Sequence, residues 1–393
     1  MNQDILSIII PALNEEEGLP QVLSELKTLE YDLRNEGIPT KIEMIVVDDG
    51  STDRTAELAE AHEGVSVIRH GERRGYGAAL KTGFLHSKGE YIGFLDEDGT
   101  YPARRFKMLF DSIRGQDIDF VIRSRLGLPA NGMPLGRKIG NIFFATLLSW
   151  LANKKVVDTA SGMRILRRSS LNRLLPLPDG LDFTPTMTAR ALHENMKILE
   201  IPIPYHERVG QSKLSLVRDG LRFLRSIVGV SRLYNPSKFF GLVGLTMIFS
   251  AVALGLQPLI HYAVMRRVED WAIYRLFTVM VFLVTGVNLV SFGLFSGHIF
   301  SIIRKKETSL PSTILLRHPD WIGVVLILFS LLLNHRTISQ YVTTRHIYVH
   351  WSYILTGATF FLIGVQLVMS GFLIRAVRSL KEHFFFQFKE PSG

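Results

Sequence analysis

Asp96 and Asp98 stand two residues apart at the end of the apolar run in "YIGFLDEDGTYP". In an extended segment both side chains point to one face of the strand and Glu97 to the other. Two carboxylates on one face repel each other unless a cation lies between them. A hard, oxygen-seeking divalent ion such as Mg2+ or Mn2+ answers that problem, above all beside substrate phosphates. A D-x-D spacing alone is common, but this one closes an apolar strand and precedes a glycine. Two more acidic clusters end apolar runs in the same way, "SIIIPALNEEEG" and "IVVDDGSTDRT". An Asp after a strand is often only a turn former, and Ser51 and Asp53 are open to that reading. Three acidic strand ends within residues 7–102 fit an α/β sheet that binds its ligand beyond the carboxyl ends of its strands.

The elements that carry these clusters alternate. Ile5–Ile10 is a short β-rich run, and Asn14 is placed to cap a helix with Glu15, Glu16 and Glu17 in its first turn. Leu19, Val22, Leu23, Leu26 and Leu29 form an apolar stripe at helical spacing. A strand follows at Ile42–Val47, a helix from about Thr52, a strand at Val65–Arg69, a helix near Ala78–His86 and a strand at Tyr91–Leu95. Such alternation predicts a mostly parallel sheet covered on both faces. "LGRKIGNIFFATLLSWL", over Leu135–Leu151, is at the lower length limit for a membrane span and reads as a buried or interfacial helix.

The second half has a different solvent. The 393-residue chain is 47% hydrophobic, an ordinary share, yet Phe239–Met265, Leu276–Ile303 and Trp351–Ile374 hold no Asp, Glu, Lys or Arg. Each is long enough to cross a hydrocarbon core of about 30 Å. Trp321–Leu333 is shorter. Arg304, Lys305, Lys306 and Arg317 follow the second segment, and Arg375, Arg378 and Lys381 the last, so keeping both basic clusters inside requires four crossings. Expected spans are 239–265, 276–303, 317–334 and 351–374 within an all-α transmembrane domain at 237–393. Ahead of it, at 214–236, Val217, Leu221, Leu224 and Val228 make one helical stripe flanked by Arg218, Arg222 and Arg225, as in a helix lying among lipid headgroups or on an ordinary domain surface. The opening residues lack the basic n-region of a signal peptide, which predicts a cytoplasmic domain at 1–213 and a cytoplasmic C-terminus in the plasma membrane. A net charge of +9 fits anionic lipid or phosphorylated substrates, and no nucleic-acid-binding signature is present. With no Cys, disulfides and thiolate metal sites are excluded.

In chain order, "SIIIPALNEEEG", "VVDDGSTDRT", "RRGYGAALKTGF" and "FLDEDGTYP" resemble the motifs of family-two glycosyltransferases with the GT-A fold, a Rossmann-like α/β domain. "SGMRILRR" and "ERVGQSKLS" resemble the polyprenyl-phosphate branch, which includes dolichol-phosphate mannose and glucose synthases. The likeness covers about residues 5–235, while the membrane half resembles that branch only in kind. It implies that Pro11, Ala12, Asn14 and Glu15 line a nucleotide pocket. Asp49 is then expected on the base or ribose, with Asp48 supporting its turn. Asp96 belongs near ribose and donor sugar, and Asp98 on a Mg2+ or Mn2+ bridging the diphosphate, the two forming the catalytic pair. Gly75 and Gly77 either let backbone pass close to the nucleotide or form a simple turn, and Lys81 belongs to the same pocket. Arg125, Arg137 and Asn141 are expected on the acceptor phosphate; Arg123 could replace Arg125, since spacing does not separate them. Arg208, Ser212 and Lys213 fall in a loop over the diphosphate.

The resemblance further implies transfer from a nucleotide-sugar donor to undecaprenyl or dolichyl phosphate, with inversion, among membrane lipids, and leaves a homo-oligomer open. "GTYP" looks closer to glucosyl-type relatives than to mannose synthases, which favours UDP-glucose or UDP-GlcNAc over GDP-mannose. Asp182 is read as structural, and Pro185 as interrupting a helix. Two rival readings remain: a processive polysaccharide synthase, whose QxxRW motif is missing because no Arg-Trp pair occurs here, and a transporter- or flippase-associated membrane protein, against which stand the uncharged long spans.

Overall fold

The computed structural model describes residues 4–38, 40–96, 102–125, 135–203, 216–303 and 319–387. They form two compact units, Met1–Ser231 and Arg232–Gly393.

The first unit is built on a seven-stranded sheet in the order β3-β2-β1-β4-β6-β5-β7. Its strands are β1 (Asp4–Ala12), β2 (Thr40–Asp48), β3 (Val65–Arg69), β4 (Tyr91–Phe94), β5 (Phe120–Ser124), β6 (Arg164–Arg167) and β7 (Ile198–Pro202). Only β6 runs antiparallel to its neighbours. Side chains alternate across the pleat and feed two cores. Leu6, Ile8, Ile10, Met44 and Val46 pack with α1 (Leu19–Asn35) and α4 (Phe106–Ile113). Ile9, Ile45, Ile92 and Phe94 pack with α3 (Tyr76–His86) and α7 (Phe183–His193). The short helices α2 (Thr55–Glu60) and α6 (Arg168–Leu174) complete the layers.

Two local expectations are corrected. Asn14 does not cap a helix: it takes a left-handed φ of 54°, and α1 begins after Gly18 with Pro20 in its first turn. The three glutamates belong to the connecting turn. Pro185 does not interrupt a helix either, because it sits at the third position of α7, where an N–H has no intrahelical acceptor.

Helix α5 (Leu135–Ala152) buries Asn141, Ala145, Leu148 and Leu151 and exposes Leu135, Ile139, Ile142, Phe143 and Trp150. Helix α8 (Leu216–Tyr234) buries Ile227 and Val230, leaves Val217 and Leu221 exposed, and meets α5 through an edge-on Phe144–Phe223 pair.

The second unit contains α9 (Pro236–Met265), α10 (Ala272–Ile303), α11 (Pro319–Thr344) and α12 (Trp351–Gln387). Among the described residues these four are long and apolar enough to cross a membrane. The third reaches Thr344, beyond its expected end at 334. They pair as two hairpins, α9 with α10 and α11 with α12, and α10 packs on α12. Both hairpins close through the same clasp. A Cβ on Gly244 would stand 2.6 Å from the Gly286 carbonyl, and one on Gly323 would stand 2.5 Å from that of Gly364. Val290 and Ile248 flank the first contact, and Val368 and Ile327 occupy the same places around the second. Arg266 and Arg345 then end α9 and α11 with φ of 57° and 58°. "TGVNLVSFG" and "IGVQLVMSG" are the matching stretches of the returning helices. One departure is Pro258, which has no N–H for the Leu254 carbonyl; Arg275 Nε donates to that oxygen at 2.7 Å instead.

Candidate active site

The sheet register brings the acidic strand ends together. Ala12 pairs with Asp48, Ile9 with Phe94, and Asp96 lies two residues beyond. Strand β1 thus has β2 on one side and β4 on the other, which opens a crevice past its carboxyl end.

The loops rimming that crevice are held by their own polar groups. Asn14 N–H donates to Ser51 Oγ at 2.9 Å, and Asn14 Oδ1 accepts from Thr52 N–H at 2.8 Å. Glu15 N–H donates to Thr55 Oγ1 at 2.8 Å, and Asp48 Oδ1 accepts from Ser51 N–H at 3.1 Å. Pro11 and Ala12 are the last residues of β1.

Asp49 is 4% exposed, and its carboxylate accepts from Arg74 N–H at 2.9 Å and Gly75 N–H at 2.8 Å. His70 Nδ1 lies 2.8 Å from the same carboxylate, and its Nε2 3.0 Å from Thr82 Oγ1. The residue expected on base or ribose therefore also fixes the loop leading into α3. Gly75, with φ 110°, and Gly77 serve a close approach to the turn at 177–180: a Cβ at 75 would stand 2.5 Å from Asp179 O, and Gly77 N–H donates to that oxygen at 2.7 Å. Lys81 joins the same contact, with Nζ 3.1 Å from Leu177 O and 2.5 Å from Asp179 Oδ1. Gly75, Gly77 and Lys81 thus border the turn at 177–180.

Asp96 is half-buried, and its Oδ1 accepts from the Tyr76 hydroxyl at 2.8 Å. Asp98 lies outside the described residues, as do Arg208, Ser212 and Lys213. Among the described residues no three His, Cys, Asp or Glu side chains cluster as a metal site. One or two strand-end carboxylates still suit Mg2+ or Mn2+, which take few protein ligands when substrate phosphates supply the rest.

The candidate acceptor residues divide. Arg123 is fully buried and donates to Ile203 O at 2.9 Å. Arg125 grips Asp158 with two 2.7 Å bonds, and its own N–H adds a third at 3.0 Å. Burial alone would raise the Asp158 carboxyl, but the Arg125 guanidinium, with backbone N–H groups of Arg125 and Ala160, holds it well below the usual carboxylate range. Next to it, burial raises Glu200 above its ordinary value, although its carboxylate accepts from Val157 and Asp158 N–H. On α5, Arg137 is half-exposed, and Asn141, one turn later, is 8% exposed with neither amide atom hydrogen-bonded among the described residues. Sequence reasoning passed over Asp158, Tyr76 and Gly162; the signals were an Asp in "VVDTASG" and the tyrosine between two glycines already singled out.

The first unit is thus an α/β domain with a crevice past the carboxyl end of β1, and among the described residues four helices long and apolar enough to cross a membrane follow it. Residues 7–175 match the family model "Glycosyl transferase family 2", and residues 236–383 match "Domain of unknown function (DUF8752)". The chain is 32% identical over 259 residues to the low-salt glycan biosynthesis hexosyltransferase Agl6 of Haloferax volcanii, covering 64% of this chain and 61% of that protein. It is 33% identical over 227 residues to a dolichyl-phosphate hexose transferase of the same organism, covering 58% of this chain and 94% of that one. A dolichyl-phosphate beta-glucosyltransferase of Saccharomyces cerevisiae is 26% identical over 254 residues, covering 58% and 75%. Among solved structures, glucosyl-3-phosphoglycerate synthase from Mycobacterium tuberculosis, in complex with Mn2+, UDP and phosphoglyceric acid, aligns with a TM-score of 0.47 at 22% identity, over 58% of this chain and 78% of that one. The chain belongs to glycosyltransferase family 2 and is a glycosyltransferase.

Proposed function

We propose that the protein transfers a hexose from a nucleotide diphosphate, UDP-glucose or UDP-GlcNAc before GDP-mannose, onto undecaprenyl or dolichyl phosphate. The observation that carries this is the convergence of the ends of β1, β2 and β4 on one crevice, with the Asp96 carboxylate at its edge. Relatives named for dolichyl-phosphate hexose and glucose transfer support the acceptor class and the lean to a glucosyl donor.

The acceptor needs no strong base, since a phosphate monoester has its second pKa near 6 and is largely ionised at neutral pH. What the enzyme must do is align two polyanions that repel each other. Asp96 and Asp98 are the residues to hold Mg2+ or Mn2+, which when bound offsets charge on the leaving diphosphate. Arg137 offers a guanidinium suited to phosphate, and the buried Asn141 amide one turn away offers a donor N–H to a phosphate oxygen. In-line attack by that oxygen on the anomeric carbon inverts its configuration. Residues Pro11, Ala12, Asn14, Glu15, Asp48 and Asp49 border the nucleotide, and Arg208, Ser212 and Lys213 belong to the loop over the diphosphate.

Helices α5 and α8, with exposed apolar residues beside Arg137, Lys138, Arg218 and Arg222, lie in the headgroup layer on the cytoplasmic side in this reading. The test is a screen of UDP- and GDP-sugars with Mn2+ and undecaprenyl or dolichyl phosphate, read as lipid product. Absence of glycosylated lipid with every donor would end the reading.

A further inference from the structure

The Asp96 carboxylate is clamped from two sides. From α3, the Tyr76 hydroxyl donates to Oδ1 at 2.8 Å. From the residues leading into β6 comes a gap: Phe94 of β4 pairs with Arg164, and two residues further on Asp96 stands against Gly162. A Cβ on Gly162 would overlap Oδ2 and stand 2.7 Å from Oδ1, so no other residue leaves room for this rotamer. The tyrosine is itself fixed. Its ring meets Phe183 edge-on at 6.4 Å, and Phe183 meets Phe94 edge-on at 6.1 Å, with both phenylalanines fully buried. Gly75 just before it is tied to Asp49 and to the turn at 177–180, which sets the first turn of α3.

We propose that Tyr76, working with the space left at Gly162, is a positioning residue that holds the Asp96 carboxylate in its donor-binding orientation. This rests on the reading of Asp96 as a donor-site carboxylate. Rotation about χ1 and χ2 would change where the Asp96 carboxylate points. A hydroxyl bond and a steric wall remove that freedom before substrate arrives. Partners that orient a ligating group in this way typically carry about tenfold to a hundredfold in affinity or rate.

The experiment is a double-mutant cycle on the full-length protein with Tyr76→Phe, Asp96→Asn and the pair, read by calorimetric binding of UDP or GDP with Mn2+ and by transfer rate. Tyr76→Phe should weaken binding or lower kcat by about tenfold. In the Asp96→Asn background the same change should cost less than about twofold, which a merely structural tyrosine would not show. Gly162→Ala should reproduce the Asp96→Asn phenotype with the fold intact by circular dichroism. Equal losses from Tyr76→Phe in both backgrounds, or none in either, overturn the positioning role. Wild-type protein that binds nucleotide but glycosylates no lipid overturns the proposed function and leaves the cycle to be read from binding alone; wild-type protein that binds neither nucleotide overturns both.

Discussion

The contacts that shape the two units differ in emphasis. In the first, the crevice loops are set by side chains that bond backbone: Asn14 to Thr52, Thr55 to Glu15, Asp49 to Arg74 and Gly75. In the second, the hairpins are set by the absence of side chains at Gly244, Gly286, Gly323 and Gly364. The solvent explains the difference. Loops facing water must offer their N–H groups a better fixed acceptor than water does. Helices in lipid gain nothing from burying apolar surface against each other, so they gain from close backbone approach. Polar bonds thus set the crevice loops, with Gly75, Gly77 and Gly162 making room beside them, while in the other unit glycines let the helix pairs close.

The sharpest way to break that contrast is at the strand-end carboxylates. Asp98→Ala should lower lipid-linked sugar formation by about 1,000-fold, in the range seen when a charge-stabilising group is removed. Its folding should be unchanged by circular dichroism. Full turnover by this variant in the presence of EDTA would remove the metal from the proposal.

Arg125 tests whether a polar contact in the first unit is scaffold or site. Its fork is engaged by Asp158, which is fully buried. Arg125→Ala should therefore destabilise the protein by about 3–5 kcal/mol by stranding a buried carboxylate, and Arg125→Ala with Asp158→Asn should recover part of the loss. A raised KM for polyprenyl phosphate at an unchanged melting temperature would instead support Arg125 in the acceptor set.

These cases mark what could be read from the sequence. The sheet and the strand-end acids were legible because strands, turns and carboxylates each leave a local signature, as in "IVVDDGSTDRT". Three of the four helices apolar enough to cross a membrane were legible from uncharged length, and the fourth from the placement of the basic clusters. What one residue does with two partners was not. Asn14 has the composition of a helix cap, yet it closes a loop through Ser51 and Thr52, 37 and 38 residues away, with a left-handed φ of 54°. That Arg125 meets Asp158, in a separate segment, likewise left no mark in the residues around either. The glycine clasp was equally silent, since hydropathy counts a glycine without saying what it touches.

The clasp gives a smaller and sign-dependent effect. Gly286→Ala places a methyl 2.8 Å from Gly244 O and should cost about 1–3 kcal/mol by overpacking, and Gly364→Ala, 2.7 Å from Gly323 O, should cost the same. At Gly255 the nearest atom to an added Cβ is 3.9 Å away, so Gly255→Ala should be neutral or gain up to about 1 kcal/mol of helix propensity. Thermal unfolding in detergent reads all three. Equal effects at Gly286 and Gly255 would show that close approach is not what holds the hairpins.

The smallest effect expected is in the acid limb of stability, where two neighbouring carboxyls of the first unit pull in opposite directions. The folded-state pKa of Asp158 is depressed. Its contribution is therefore complete above the unfolded value of about 3.9 and is lost as pH falls below it. Glu200 is raised by burial. Its contribution is complete below its unfolded value and fades as pH rises through the folded one. As pH rises through the raised folded value of Glu200, stability should thus fall, by Glu200 alone. Below about pH 4 Asp158 takes over, and stability should fall by at most about 1.4 kcal/mol per pH unit from this group. Asp158→Asn should flatten the lower limb and leave the upper slope in place, whereas Glu200→Gln should do the reverse. Melting curves of the three proteins from pH 3 to 8 would separate the two carboxyls, and parallel curves would mean that neither governs the unit's acid stability.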